Sequence, residues 1–372
     1  MVKPKVLFIL HFPPPVNGAS MVGEYIKNSE VIDETFEADF VNLTASFSLK
    51  NIGKGGFGKI LTILKILKKV FLTLKSKDYD LCYMTLTAKG AGFYKDFLIV
   101  VLLKMFRKKI VFHFHNKGVL KSSVNKLNNF LYSYTFKNTN SIVLSASLSY
   151  DIEKYVHINK IHICANGIPK IEENLTSNIT ATNNKDICRF LFLSNMMEEK
   201  GVMILLEALG QLKNRKVKFE CHFIGAWSDI SEIDFNTIVE EYKLSNYVSA
   251  HGKKYGDEKN QYFLNSDVFV FPTFYHNECF PLVLLEAMQY SLPIISTPEG
   301  GIVDLVSNGE TGVLVEQKNV KELTDQLELM SENVILRQSF GKAGRRRYEE
   351  LFTLSKFEKD FSTILNSIVA NN

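Results

Sequence analysis

Paired cysteines are missing from this sequence. The five present, Cys82, Cys164, Cys188, Cys221 and Cys279, are scattered singly. They show no C-x-x-C step and no regular spacing, which excludes a disulfide framework and an ordinary zinc site. They read as reduced thiols of a cytosolic protein. Long apolar runs are missing too. "FLIVVLL", Phe97 to Leu103, falls far short of the roughly 20 residues a membrane-spanning helix needs. The opening "MVKPKVLFILHFPPP" has a charged start and an apolar run, but it breaks at His11 with no small-residue cleavage site, so it reads as a strand and not as a signal segment. Pro and Gly are modest at 9 and 21 residues, and neither a repeat nor a low-complexity tract occurs, which excludes fibrous and disordered classes.

What is present is apolar content and an uneven charge. At 372 residues and 46% hydrophobic, the chain is too long for one comfortable core and suits two. The net charge of +4 hides a division: up to Lys185 there are 25 Lys and Arg against 13 Asp and Glu, and beyond it 19 against 27. A basic first half could attract a phosphorylated substrate, an anionic membrane surface or nucleic acid.

Strand-like runs "KVLFILH", "ADFVNL", "YDLCYMTL", "KIVFHFH" and "SIVLSAS" alternate with amphipathic stretches such as "GKILTILKILKKVFLTLKSK", the pattern of a parallel sheet covered by helices. "IEENLTSNITATNNKD", Ile171 to Asp186, is polar and without apolar period, and reads as a linker. The alternation then restarts with "CRFLFLS", "KFECHFIG", "YVSAHG", "DVFVFPT" and "LPIISTP" between helical stretches. The expected domains are 1–170, a linker over 171–186, a second Rossmann-like domain over 187–352, and a last helix over 353–372 that packs back toward the first domain.

Two motifs are decoys. "GKGGFG", Gly53 to Gly58, spells G-x-G-x-x-G with Asp78 or Asp80 some twenty residues on, as in a dinucleotide cradle. Such a cradle needs its first glycine at the end of the first strand, whereas here the second strand ends near Leu43 and "TASFSLKNI" intervenes. A loop leading into a helix is the better reading. "DYD", Asp78 to Asp80, resembles a metal-holding D-x-D, but its acids fall in a turn and at a strand start, where acids are common for conformational reasons alone.

The informative segment is "HNECFPLVLLEAMQYSLPIIST". Pro281 suits the first position of a helix, which leaves Glu278, Cys279 and Phe280 in the loop before it. The unbonded amides of Leu282 and Val283, with the positive end of the helix dipole, make an anion site. Glu286, one turn on, would stand roughly 6 Å along the axis from that anion, the length of a ribose, and a carboxylate accepts from two vicinal hydroxyls. The alternative is a buried Glu paired with a core Arg or Lys, because the helix is apolar nearly all round.

Glu-x7-Glu with an intervening Phe-Pro, then "EAM", "LPIIST", "GGIVDLV" and Gly312, resembles the carboxyl-terminal domain of family 4 retaining glycosyltransferases of glycosyl transferases group 1, which have the α/β GT-B fold: two Rossmann-like parallel-sheet domains facing across a cleft. The resemblance implies that Glu286 holds the nucleotide ribose and that Glu278 contacts hydroxyls of the donor sugar. Loop residues Cys279 and Phe280, with the amides of Leu282 and Val283, would then approach the pyrophosphate. In "SNMMEEKGV" it implies Lys200 as the diphosphate partner, a fixed cation that neutralises a leaving group without a metal. Asn195 departs from the family's usual Arg and donates only neutral hydrogen bonds; whether Arg189 or another basic group compensates is left open. "HGKKYG" around Gly252 resembles the segment lining the base pocket, and "CANGIP" (Asn166, Gly167) a structural turn. In the first domain, "PPPVNGAS" resembles the loop where Gly18 lets amides approach donor phosphate or acceptor. In "FHFHNKG", His115 at a strand's carboxyl end matches the family's active-site His, with His113 as a packed neighbour.

The implied activity is a hexosyltransferase-type transfer: a UDP- or GDP-sugar donor, a glycan or lipid-linked hydroxyl acceptor, retention, and no required metal or cofactor. Surface-polysaccharide assembly is the implied setting. The rivals are an epimerase or phosphorylase on the same fold, and a basic nucleic-acid-binding module, against which no binding box of interleaved aromatics and Lys/Arg is seen. The stretch with Lys59, Lys65, Lys68, Lys69 and Lys75 along an apolar stripe is either a surface helix packed on its sheet or a peripheral contact with an anionic membrane at the inner face of the cell.

Overall fold

The computed structural model describes residues 2–44, 57–171 and 187–371. Within it the chain forms two compact units, Met1–Gly167 with Leu354–Asn372, and Ile168–Thr353. Residues 53–56 of the glycine motif and 172–186 of the polar linker lie outside the described residues, while Phe57 and Gly58 already belong to a helix.

In the first unit the order is β1 (Lys5–Leu10), α1 (Gly18–Lys27), α2 (Glu30–Thr35), β2 (Glu37–Asn42), α3 (Phe57–Ser76), β3 (Leu81–Thr85) and α4 (Gly90–Met105). It continues with β4 (Ile110–His113), α5 (Val119–Ser122), α6 (Lys126–Phe136), β5 (Asn140–Val143) and β6 (Ile161–Ile163). The described strands form one parallel sheet ordered β2-β1-β3-β4-β5-β6. Strands β3 and β4 are buried at every position, as expected of continuous apolar strands covered on both faces. The second unit runs β7 (Cys188–Leu193), α7 (Val202–Asn214), β8 (Phe219–Ile224), α8 (Glu232–Glu241), β9 (Val248–Ala250), α9 (Gly256–Leu264) and β10 (Val268–Phe271). After these come α10 (Leu282–Gln289), β11 (Ile294–Ser296), α11 (Ile302–Leu305), β12 (Gly312–Leu314), α12 (Val320–Glu332) and α13 (Val334–Leu351). Its sheet is also parallel, ordered β12-β11-β10-β7-β8-β9.

The last helix, α14 (Leu354–Ala370), belongs to the first unit. Its Phe357, Phe361, Leu365 and Ile368 share a core with Phe8, Tyr83, Val22 and Ile32, and Lys109 Nζ donates to the carbonyls of Ile368, Val369 and Asn371 at its end. One face of the sheet is thus covered by α1, α2 and α14. Helices α3, α4 and α6 pack on one another as a separate layer.

Strand order fixes where a site can form. In the second unit, β7 and β10 are neighbours from which the connections run in opposite directions; in the first, β1 and β3 hold that place. Loops leaving adjacent strands on opposite sides of such a point part to open a crevice at the carboxyl edge of the sheet. The two "DYD" acids lie elsewhere. Asp80 accepts the Lys5 amide at 2.7 Å and Asp78 pairs with Lys108, so both serve the fold. Among the described residues no group of three or more His, Cys, Asp or Glu is placed to hold a metal ion, and no helix is long and apolar enough to cross a membrane. All five cysteines are buried and none is in a disulfide.

Candidate active site

In the second unit the loops leaving β7 and β10 are locked together. After β10, Phe274 donates its amide to the Glu199 carbonyl at 2.8 Å, and the Thr273 hydroxyl donates to the same oxygen at 3.2 Å. Gly201 has φ +84°, and a Cβ there would stand 2.2 Å from the Pro272 carbonyl oxygen, so only glycine permits Lys200 to sit where it does. On the other side Gly301 donates to the Cys279 carbonyl at 2.6 Å, and Gly300, φ +56°, lies so close that a Cβ would be 2.1 Å from the Glu278 carbonyl oxygen. The glycine pair of "GGIVDLV" is therefore a backstop for the Glu278 loop, which also closes a turn through Glu278 N–H to the Tyr275 carbonyl at 2.7 Å.

Lys200 and Glu278, expected to serve diphosphate and sugar separately, meet: Lys200 Nζ donates to Glu278 Oε2. Both side chains are nearly buried, and the ammonium lies over the rings of Tyr275 (4.6 Å) and Phe271 (5.3 Å). Taking two charges out of water is costly unless each has its partner, and the aromatic faces add attraction for the cation. Cys279 and Phe280 are buried, the latter edge-on to Phe352 at 5.9 Å.

The helix begins one residue later than the sequence suggested. Pro281 is the N-cap, in extended conformation with φ −69°, and Leu282 is the first helical residue. A proline has no N–H, so nothing is lost by placing it there. Among the described residues the amides of Leu282 and Val283 meet no acceptor, whereas Leu284 N–H already reaches the Pro281 carbonyl at 3.1 Å. The expectation that the apolar residues of α10 are all buried is corrected, and so is the alternative reading of Glu286 as a buried acid. Leu282, Val283 and Glu286 are half-buried while the other positions are buried, because i, i+3 and i+4 share one face. Glu286 is paired, as its alternative reading required, but with a half-exposed neighbour: Lys259 Nζ of α9 is 2.6 Å from Oε1. Oε2 has no partner among the described residues. Beside them the Tyr290 hydroxyl is buried and unbonded; burial, then the Glu286 and Asp257 carboxylates, push its pKa up to about 12.

Asn195 is exposed just past β7, its carbonyl accepting the Met197 amide at 2.8 Å. Gly252, beyond β9, accepts from Gly225 N–H at 2.9 Å, so the exits of β8 and β9 stand side by side. Arg189 does not compensate for the missing Arg. It lies near the amino end of β7, 3.6 Å from Glu220, and six strand residues put it roughly 20 Å from Asn195. Lys259 and Tyr290 went unnoticed in the sequence: Tyr290 follows Glu286 by one turn of the same helix, whereas Lys259 stands in no motif and reaches Glu286 from α9.

In the first unit, His11 follows β1 and its Nδ1 lies 3.3 Å from Thr85 Oγ at the end of β3. His115, two residues past β4, stacks obliquely on His113 at 4.3 Å. His113 shares a 2.8 Å hydrogen bond with the Tyr83 hydroxyl deep in the sheet, as a packed residue should. His115 differs: both ring nitrogens are sealed from solvent and neither has a hydrogen-bond partner. Burial and then neighbouring His11 hold its pKa down at about 3, and burial with Lys95 holds His11 at about 4. The turn after His115 is held by Asp151, whose carboxylate accepts the amides of Gly118, Val119 and Leu120 at 2.8–3.0 Å. Gly18 opens α1 behind an Asn17–Ser20 capping box, with open space where a side chain would stand.

Residues 177–347 match the family model described as glycosyl transferases group 1. That match takes in just under half of the chain. A capsular polysaccharide biosynthesis glycosyltransferase of Staphylococcus aureus, CapM, is 26% identical to it over 178 residues, 48% of this chain and 46% of that protein. The match thus spans under half the relative's length. A glycosyltransferase from Rickettsia africae superposes over 100% of both chains with TM-score 0.77 at 18% identity. Anabaena HepE, solved with UDP and glucose, covers 98% of this chain and 100% of its own with TM-score 0.71 at 17% identity. At these identities the likeness is one of fold, the GT-B fold. Within the matched residues, the Lys200 and Glu278 loops and the start of α10 lie at the carboxyl ends of β7 and β10.

Proposed function

We propose that the protein moves a sugar from a nucleoside-diphosphate donor to a hydroxyl of a glycan or lipid-linked acceptor, retaining the anomeric configuration, with no metal required. The observation that carries this reading is the convergence, at one strand crossing, of a nearly buried Lys–Glu pair, two unbonded amides at a helix start and a half-free carboxylate one turn along. A diphosphate suits the amides and the helix dipole. A ribose suits Glu286 Oε2, with Lys259 holding the other oxygen in place. HepE, of the same fold, was solved with UDP and glucose, and CapM is named for capsular polysaccharide synthesis; a UDP- or GDP-hexose and surface-polysaccharide assembly are the corresponding assignments here.

In the proposed reaction the acceptor oxygen bonds to the anomeric carbon as the carbon–phosphate-oxygen bond breaks on the same face, and the acceptor proton passes to the departing phosphate oxygen. No protein nucleophile takes part. Lys200 and the amides of Leu282 and Val283 stabilise charge that grows on the diphosphate, where fixed donors act most strongly. Glu278 accepts from donor-sugar hydroxyls, and the loop Cys279–Phe280 shapes the approach. Asn195 and Gly252 line the phosphate and base ends. On the first unit, Gly18 and His115, the latter neutral at working pH, are the corresponding assignments for phosphate or acceptor and for the transferred sugar.

A thermal-shift screen of UDP, GDP and their sugars tests this. A ligand at 100 times its Kd stabilises the native state by about 2.7 kcal/mol. The expected result is a rise with one nucleoside diphosphate that disappears in Glu286→Ala. A screen in which none of them raises the melting temperature would overturn the reading.

A further inference from the structure

The layer formed by α3 and α4 presents an outer face unlike an ordinary surface. Leu61, Leu64, Phe71 and Leu72 of α3 are 42–55% exposed, and Leu98 and Met105 of α4 are 46% and 70% exposed. Single exposed leucines are unremarkable, but a contiguous set on two packed helices marks an interaction surface. Phe71 meets Phe106 edge-on at 5.7 Å. Between the helices runs a groove of about 340 Å³ lined by Leu67, Lys68 and Phe71 on one side and Leu98, Val101 and Leu102 on the other. Interleaved with the leucines, Lys65, Lys68, Lys69 and Lys75 are exposed.

Charge identifies the occupant. No acid occurs between Phe57 and Ser76 or in α6, and the single acid of α4, Asp96, is fully buried. Asp78, just beyond α3, is engaged by Lys108. A second copy docked here about a twofold axis would set these lysines against their own kind, with no exposed acid on α3, α4 or α6 to answer them and the exposed Asp78 already held by Lys108. A bilayer containing anionic lipid answers both features: leucine and phenylalanine side chains enter the acyl boundary while lysine stems run up to phosphate headgroups. We infer that the α3–α4 face docks on an anionic membrane surface, with the groove between the helices receiving acyl chain. This inference does not rest on the proposed activity.

Cosedimentation of the full chain with vesicles of phosphatidylcholine alone, or containing phosphatidylglycerol, tests it without any sugar nucleotide. The wild type is expected to pellet with the anionic vesicles and far less with the neutral ones. Each lysine near such a surface contributes about a fivefold factor, so combined Lys65→Gln, Lys68→Gln and Lys69→Gln should weaken binding on the order of 100-fold. Leu64→Ser with Leu72→Ser should weaken it roughly 10-fold or more. All these side chains are exposed, so unchanged melting temperatures confirm that folding is intact. Equal pelleting with both lipids, or leucine variants that bind like wild type, would overturn the inference. So would a wild-type dimer in analytical ultracentrifugation that the leucine variants turn into monomer, since a second copy would then be what covers the face.

Discussion

At the scale of single residues the division of labour around α10 is testable by substitution. Glu286→Ala should weaken nucleotide binding about 10- to 100-fold, the loss of one charge-assisted contact, by titration calorimetry with UDP and GDP. Glu278→Ala and His115→Ala should lower kcat with a smaller loss of affinity, and Lys200→Ala should lower kcat most, since in the proposed reaction its charge answers one that grows in the transition state. Negligible effects from all of them would defeat the assignment. The histidines bear on stability as well. Burial holds His11, His113, His115, His162, His222 and His251 below the ordinary value of 6.5, with His11 at about 4 and His115 at about 3. Between the folded and unfolded values the unfolded chain binds more protons, so stability present above about pH 6.5 should drain away as the pH falls toward 4 and 3. Urea melts over that range should show the slope, and it should be shallower in His115→Gln.

Elements were legible where their sequence period was long enough to read. Five strands of each sheet show as apolar runs, and the order of strand and helix follows from them. Ile161–Ile163 and Gly312–Leu314 do not: each is a three-residue edge strand whose pairing is settled by the neighbour, although the equally short β9 and β11 were read from the longer runs around them. The Glu278–Glu286 segment stood out because an apolar helix with one acid is unusual, yet the pairing of that acid with Lys259 depends on how α9 meets α10, which no local pattern encodes. Likewise Gly201 and Gly300 read as plain turn residues until the carbonyls of Pro272 and Glu278 are seen against them. Gly201→Ala or Gly300→Ala should cost on the order of 1–3 kcal/mol, measured by urea unfolding. Each should also displace a charged loop enough to reduce turnover by up to about 100-fold.

At the scale of the molecule, the decisive feature is that the first unit draws on both ends of the sequence. Phe361 of α14 packs on Tyr83 at 5.1 Å and on Phe8 at 6.4 Å, so Phe361→Ala should destabilise that unit by about 3–5 kcal/mol. Melting followed with and without UDP should show the second unit's response to the nucleotide preserved. A polypeptide is made from its amino end, and domains ordinarily close in that order. Here the first unit's apolar floor stays open until residues 354–372 leave the ribosome, with the whole of 168–353 translated in between. At roughly 5–20 residues per second that interval is on the order of 10–40 seconds, during which Phe8, Tyr83 and their neighbours lack their cover and the later-made unit is free to mature ahead of the earlier one.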